Sequence, residues 1–95
     1  MATYELTFIL QPNLDEDGLA QAVQKVADIV TAAGGTVNAT EPWGKRRLAY
    51  PIRHFEEGYY VLQRVDLPAK GPREVDRAIK LVEDVIRHLI VRVEE

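Results

Sequence analysis

Cysteine is absent from the 95-residue sequence, which excludes disulfides, thiolate nucleophiles and cysteine-ligated metals. No apolar run approaches the ~20 residues that a bilayer-crossing helix needs. The opening Met1-Ala2-Thr3-Tyr4-Glu5 lacks the basic region and long apolar stretch of a signal peptide. Histidine is scarce. His54 has Glu56 and Glu57 nearby and His88 stands beside Arg87, but neither falls into a ligand spacing, and no nucleophile or oxyanion site accompanies them. Both read as surface side chains, so neither catalysis nor a metal or cofactor is expected. Gly34-Gly35 does not make a phosphate loop either, because such loops precede a helix and this pair follows one.

What is present fits one cytoplasmic domain spanning residues 1–95. The formal net charge of −3 argues against a nucleic-acid binder, but the distribution of charge along the chain points the other way. Residues 1–41 hold six acids and one base, whereas residues 42–95 hold eleven bases and nine acids. Lys45, Arg46, Arg47 and Arg53 lie between Pro42 and Phe55 with no acid among them, as do Arg87 and Arg92 between Val85 and Val93. Phosphate responds to local potential more than to total charge.

Thr3 to Leu10 alternates, with Tyr4, Leu6, Phe8 and Leu10 on one face, which predicts a half-buried strand. Asp15-Glu16-Asp17 opens a helix, with Leu19, Val23, Val26, Val30 and Ala33 as its apolar stripe and Gly34-Gly35 as its end. The helix also carries Asp28 against Lys25 alone, a solvated acidic face. Thr36 to Ile52 predicts one long strand with a bulge near Pro42 and Gly44. Arg53 to Gly58 reads as a polar turn, and Tyr59 to Leu67 as the returning strand of a hairpin. Pro72 starts a second helix with Val75, Ile79 and Val82 facing inward, and Val85 to Val93 predicts a last strand.

Strand, helix, strand, strand, helix, strand with right-handed crossovers gives an α+β, ferredoxin-like βαββαβ fold. Its four-stranded antiparallel sheet has both helices on one face. Modules of this shape that read RNA stack bases on aromatics of the first and third strands. The first strand here offers Thr3, Glu5, Thr7 and Ile9 instead. The face bearing Tyr60, Leu62 and Arg64 suits docking of another protein better. A rival reading, a small enzyme or ligand-binding domain dimerising through its open sheet, requires a pocket between sheet and helices lined by His54 or His88.

The densest constellation is Trp43-Gly44-Lys45-Arg46-Arg47-Leu48-Ala49-Tyr50-Pro51-Ile52. Three consecutive cations on a strand point to alternate faces, so they cannot serve one flat surface alike. A bulge at Gly44 lets them reach around the edge toward phosphates, where arginine's planar fork makes bidentate contacts. An edge strand protected by charge against aggregation has the same appearance.

This segment resembles the signature of the bacterial small-subunit ribosomal protein S6 family, matching it from Gly44 to Ile52. Tyr4-Glu5, Pro12-Asn13-Leu14, Gly58-Tyr59 and the last strand with Val85 and Arg87 agree further, so the likeness covers essentially the whole chain. It departs at Ala2-Thr3, where members often place a basic residue after the initiator methionine, and at Glu94-Glu95, where many carry an extended tail. The resemblance implies a non-catalytic ribosomal component that binds the central domain of small-subunit ribosomal RNA together with the small neighbouring protein S18. It carries over Arg46, Arg47 and Arg87 as RNA contacts, and local charge adds Lys45, Lys80 and Arg92. Trp43, Tyr50, Tyr60, Leu62 and Arg64 are the expected partner-binding residues.

Overall fold

The computed structural model describes residues 1–93; Glu94 and Glu95, and with them the expectation about the chain's end, lie outside the described residues. The elements run β1 (Ala2–Leu10), α1 (Glu16–Ala32), β2 (Thr36–Ile52), β3 (Phe55–Leu67), α2 (Gly71–Ile79) and β4 (Val85–Arg92). The sheet order is β2-β3-β1-β4 with every pairing antiparallel. This is the ferredoxin-like arrangement expected from the element order.

Alternation sorts the two faces. Leu6, Phe8 and Leu10 of β1 join Val61, Val65 and Leu67 of β3 in a core closed by Ala22, Val26 and Val30 of α1 and by Val75 and Ile79 of α2. Asp15 caps α1, its carboxylate accepting from the Gly18 N–H at 2.7 Å, which satisfies one of the unpaired amides of the first turn. Gly34, at φ 84°, takes the left-handed conformation that ends a helix. The apolar stripe of α1 includes Ala22, which the spacing of larger residues passes over.

Three expectations need correction. The polar stretch Arg53 to Gly58 is not a six-residue turn: only Arg53 and His54 connect the strands, with φ values of 50° and 71°, and Ile52 already pairs with Phe55. Positive φ at both central residues matches the twist of the flanking strands, so the hairpin closes in two residues. Val82 lies beyond α2, in the turn before β4, where its N–H donates to the Ile79 carbonyl. Nor is the second sheet face fully open. Ile9, Leu48 and Ile86 are buried on it, with Ile52, Phe55 and Tyr60 packed around them.

Candidate functional site

The β2–β3 hairpin is shaped by three irregularities in its register, at Asn38, at Trp43 and between Arg47 and Ile52. The second is the bulge expected at the proline and glycine. Gly44 sits at φ 83°, with open space where a Cβ would project, so the backbone conformation alone asks for glycine there. The third has no local signal in the sequence. Arg47 pairs with Glu57 and Ile52 with Phe55, so Leu48 to Pro51 stand opposite Glu56 alone. That excess length lets β2 buckle over the sheet, sending Leu48 into the small cluster with Ile9 and Ile86.

The three consecutive cations separate as strand geometry demands. Lys45 faces the same side as its partner Tyr59, its Nζ 5.2 Å from the ring centroid. Arg46 is stacked 5.8 Å from the Trp43 ring and donates from Nε to the Trp43 carbonyl at 3.3 Å. Its strand partner is Gly58, which faces the Ile9–Ile86 side of the sheet, whereas Arg47 lies opposite Glu57. All three are exposed. Each guanidinium or ammonium resting on a ring keeps its charge turned to solvent while its stem is held.

Arg87 joins Arg46 on the Ile9–Ile86 side, reaching in from the far edge of the sheet. It donates to the Tyr50 hydroxyl and lies 5.9 Å from that ring's centroid. The pair spans from β2 on one sheet edge to β4 on the other. A second tie, Arg53 Nη1 to the Glu83 carbonyl at 3.2 Å, fastens the hairpin tip to the turn before β4. Beneath the overhang runs an apolar groove of about 340 Å³, lined by Ile9, Trp43, Leu48, Tyr50, Tyr60 and Leu89 among others, with Arg87 at its wall. Leu89 is 60% exposed and Val91 49%, an unusual display of aliphatic surface on a strand face.

The remaining expected residues fall elsewhere. Leu62 is buried at 8% exposure, so it supports the face from below. Arg64 is paired with Glu5 at 3.3 Å. Lys80 sits at the end of α2, 3.1 Å from Asp76. Arg92 stands opposite Tyr4 near the other end of β4, on the helix-bearing side of the sheet. Neither Lys80 nor Arg92 joins the hairpin cations. His54 is an exposed turn residue, as expected from the sequence. His88 is not a surface histidine: it is largely covered, and its Nε2 donates to Asp76 Oδ1 at 2.7 Å. That bond, with Lys80 on the other oxygen, holds the Asp76 carboxyl below its ordinary range. No group of three or more metal-ligating side chains converges among the described residues, and no helix is long and apolar enough to cross a membrane.

The family model described as ribosomal protein S6 matches residues 3–92. The chain belongs to the ribosomal protein S6 family. It is thus a structural, non-enzymatic component of the small ribosomal subunit, in the cytoplasm. The small ribosomal subunit protein bS6 of Clostridium botulinum strain Hall is 43% identical over 91 residues, covering 96% of this chain and 97% of the relative. That of Clostridium acetobutylicum is 43% identical over 95 residues, covering all of both chains. The crystal structure of 30S ribosomal protein S6 from Thermotoga maritima superposes with a TM-score of 0.89 at 27% identity, covering 97% of this chain and 87% of that one. A chemotaxis kinase P2 domain from the same organism shares the fold alone, at a TM-score of 0.66 and 16% identity.

Within this S6 chain, Leu89 and Val91 are the functional candidates that sequence reasoning missed. The signal was available: alternation along β4 puts Arg87, Leu89 and Val91 on one face, and a strand buried on both sides would not leave aliphatics beside an arginine.

Proposed function

We propose that this chain binds small-subunit ribosomal RNA through Arg46, Arg47, Arg87 and Lys45, and holds ribosomal protein S18 in the apolar groove beneath its hairpin. The observation that carries the reading is the juxtaposition of unneutralised cations on the buckled hairpin and β4 with the exposed apolar surface between them. Lys45, Arg46, Arg47 and Arg87 form no ion pair with an acid among the described residues, whereas Arg64 and Lys80 do. Arginines left without acidic partners are available to phosphate oxygens, while paired ones would first have to exchange partners. Lys80 therefore ranks below the hairpin residues as an RNA contact, Arg92 does so because it stands apart from them opposite Tyr4, and Arg64 ranks below Trp43, Tyr50 and Leu89 as a partner contact.

Chemically the arrangement positions rather than reacts. Phosphate contacts fix orientation and carry no sequence information, so selectivity comes from RNA shape and from the docked protein. Trp43 and Tyr50 present large apolar rings with polar edges, the residue types that dominate binding energy at interfaces. The Tyr50–Arg87 pair joins the two surfaces, because the same tyrosine lines the groove and orients a cation.

Filter binding of central-domain ribosomal RNA, with and without S18, tests the reading. Wild type is expected to bind tightly only with S18 present, and Arg46→Glu/Arg47→Glu to lose both that binding and co-sedimentation with small subunits. Equal nanomolar affinity with and without S18, or unchanged co-sedimentation of the double variant, would sink it. Leu89→Asp is expected to abolish S18 capture while leaving the fold intact by circular dichroism.

A further inference from the structure

A second cationic surface lies on α2, away from the groove and the hairpin. Lys70, Arg73 and Arg77 follow one another at spacings of three and four, which places them along one stripe of the helix. All three are exposed, while Gly71, Val75 and Ile79 form the buried stripe. The three cations and Ala69 and Glu74 line a concavity of about 450 Å³. None of the three pairs with an acid among the described residues; Glu74, the one acid in the lining, leaves the concavity with a charge of +2. No side chain caps the N-terminus of α2, so its amide dipoles add to the positive potential there.

We infer that this stripe is a second phosphate-backbone contact, taking a segment of ribosomal RNA distinct from the one at the hairpin. The inference rests on the proposed RNA binding and extends it to the opposite side of the molecule. The topology separates the two surfaces. β3 ends at Leu67 opposite Ala2, the start of β1, whereas the hairpin tip lies beyond Leu10 at its other end. α2 begins at the Leu67 end, on the helix-covered face, and the molecule is 36 Å long. A small anion would occupy one cation cluster; a polyanion that wraps the chain reaches both. Among polyanions, RNA is the one the hairpin reading already brings to this chain, and a continuous run of phosphates can pass both surfaces where the arginine forks of Arg73 and Arg77 take their oxygens in pairs.

The test is the salt dependence of RNA binding by the full chain with S18, using Lys70→Gln/Arg73→Gln/Arg77→Gln. Glutamine matches lysine and arginine in helix propensity, so α2 should remain folded, checked by an unchanged Tm. Losing three phosphate contacts lowers the slope of log K against log salt by about 2.1–2.7, and the affinity near 0.1 M salt by roughly 125- to 500-fold. An unchanged slope in this variant, with the Arg46→Glu/Arg47→Glu variant still defective, overturns the α2 site and leaves the hairpin reading intact. Absence of binding by wild type overturns both. If RNA affinity is unchanged while another ribosomal protein dissociates from subunits assembled with the variant, the occupant is protein and the inference is wrong.

Discussion

Gln63 is fully buried on the helix-covered face of β3, between Val61 and Val65 and opposite Leu6 of β1. Its Nε2 and Oε1 find no hydrogen-bond partner. An amide taken from water without compensation costs about 1–3 kcal/mol on the scale of protein mutational data. Methionine has nearly the same length and flexibility and no such requirement. Gln63→Met should therefore stabilise the chain by about 1–3 kcal/mol, against a total of ~5–15 kcal/mol for a domain. For a chain of this size each kcal/mol moves the midpoint by roughly 4–8 °C.

Urea unfolding followed by circular dichroism measures the effect as a raised midpoint at unchanged slope. Gln63→Glu supplies the opposite arm. It should destabilise, and more at pH 7 than at pH 3, because the unfolded carboxyl ionises freely while the buried one resists. If Gln63→Met instead loses 1 kcal/mol or more at constant slope, the amide is hydrogen-bonded in solution and the reasoning from its burial fails.

Three further perturbations probe the hairpin, the α1–β2 connection and the α2–β4 contact. Gly44→Ala meets no neighbouring atom, so its cost is the left-handed backbone alone, about 1–2 kcal/mol by chemical denaturation. Gly35→Ala should cost more, because its Cβ would clash with the Asp66 carbonyl oxygen and the Leu67 side chain; equal losses would refute the distinction. The Asp76 carboxyl is held below its ordinary value by the hydrogen bond from His88 and then by Lys80. A lowered folded-state value means that the stabilisation is present above the unfolded value of 3.8 and disappears as pH falls through the folded one. Asp76→Asn should flatten the loss of Tm below about pH 4, and a wild-type profile matching the variant's would contradict the assignment.

Local pattern made most of the fold legible. Alternation in Thr3–Leu10, the Gly34-Gly35 stop and Pro72 all report on nearest neighbours along the chain, which is where period and backbone propensity act. Gly44 was legible for the same reason. The three-residue excess within Leu48 to Pro51 was not, because its cause is non-local: Leu48 gains burial against Ile9 and Ile86, residues far away in sequence. Glu56, Glu57 and Gly58 look like turn residues, yet they are strand because Phe55 is anchored in that same cluster. The covering of His88 is hidden for a similar reason, since Asp76 lies on a different element and only the packing of α2 on β4 brings the two together. At the candidate site, attention to charge found Arg46, Arg47 and Arg87 but passed over Leu89 and Val91, whose meaning depends on which strand face is left uncovered.

A net charge of −3 describes the chain from far away, whereas a phosphate meets one surface of it. At 0.1 M salt interactions between exposed charges fade over about 10 Å, well short of the 36 × 25 × 21 Å extents of the molecule. Ion pairing removes further cations from consideration, since Arg64 and Lys80 are answered by Glu5 and Asp76. Apart from the single bases Lys25 and Arg92, what remains among the described residues is two separate displays of unneutralised bases, on the hairpin with Arg87 beside it and along α2. Trp43, Tyr50 and Tyr59 turn the first of these from a flexible charge run into an oriented one, because Arg46, Arg87 and Lys45 each rest on a ring. Edge protection alone would need only the charge. Three aromatic supports for three cations favour a surface built to present them.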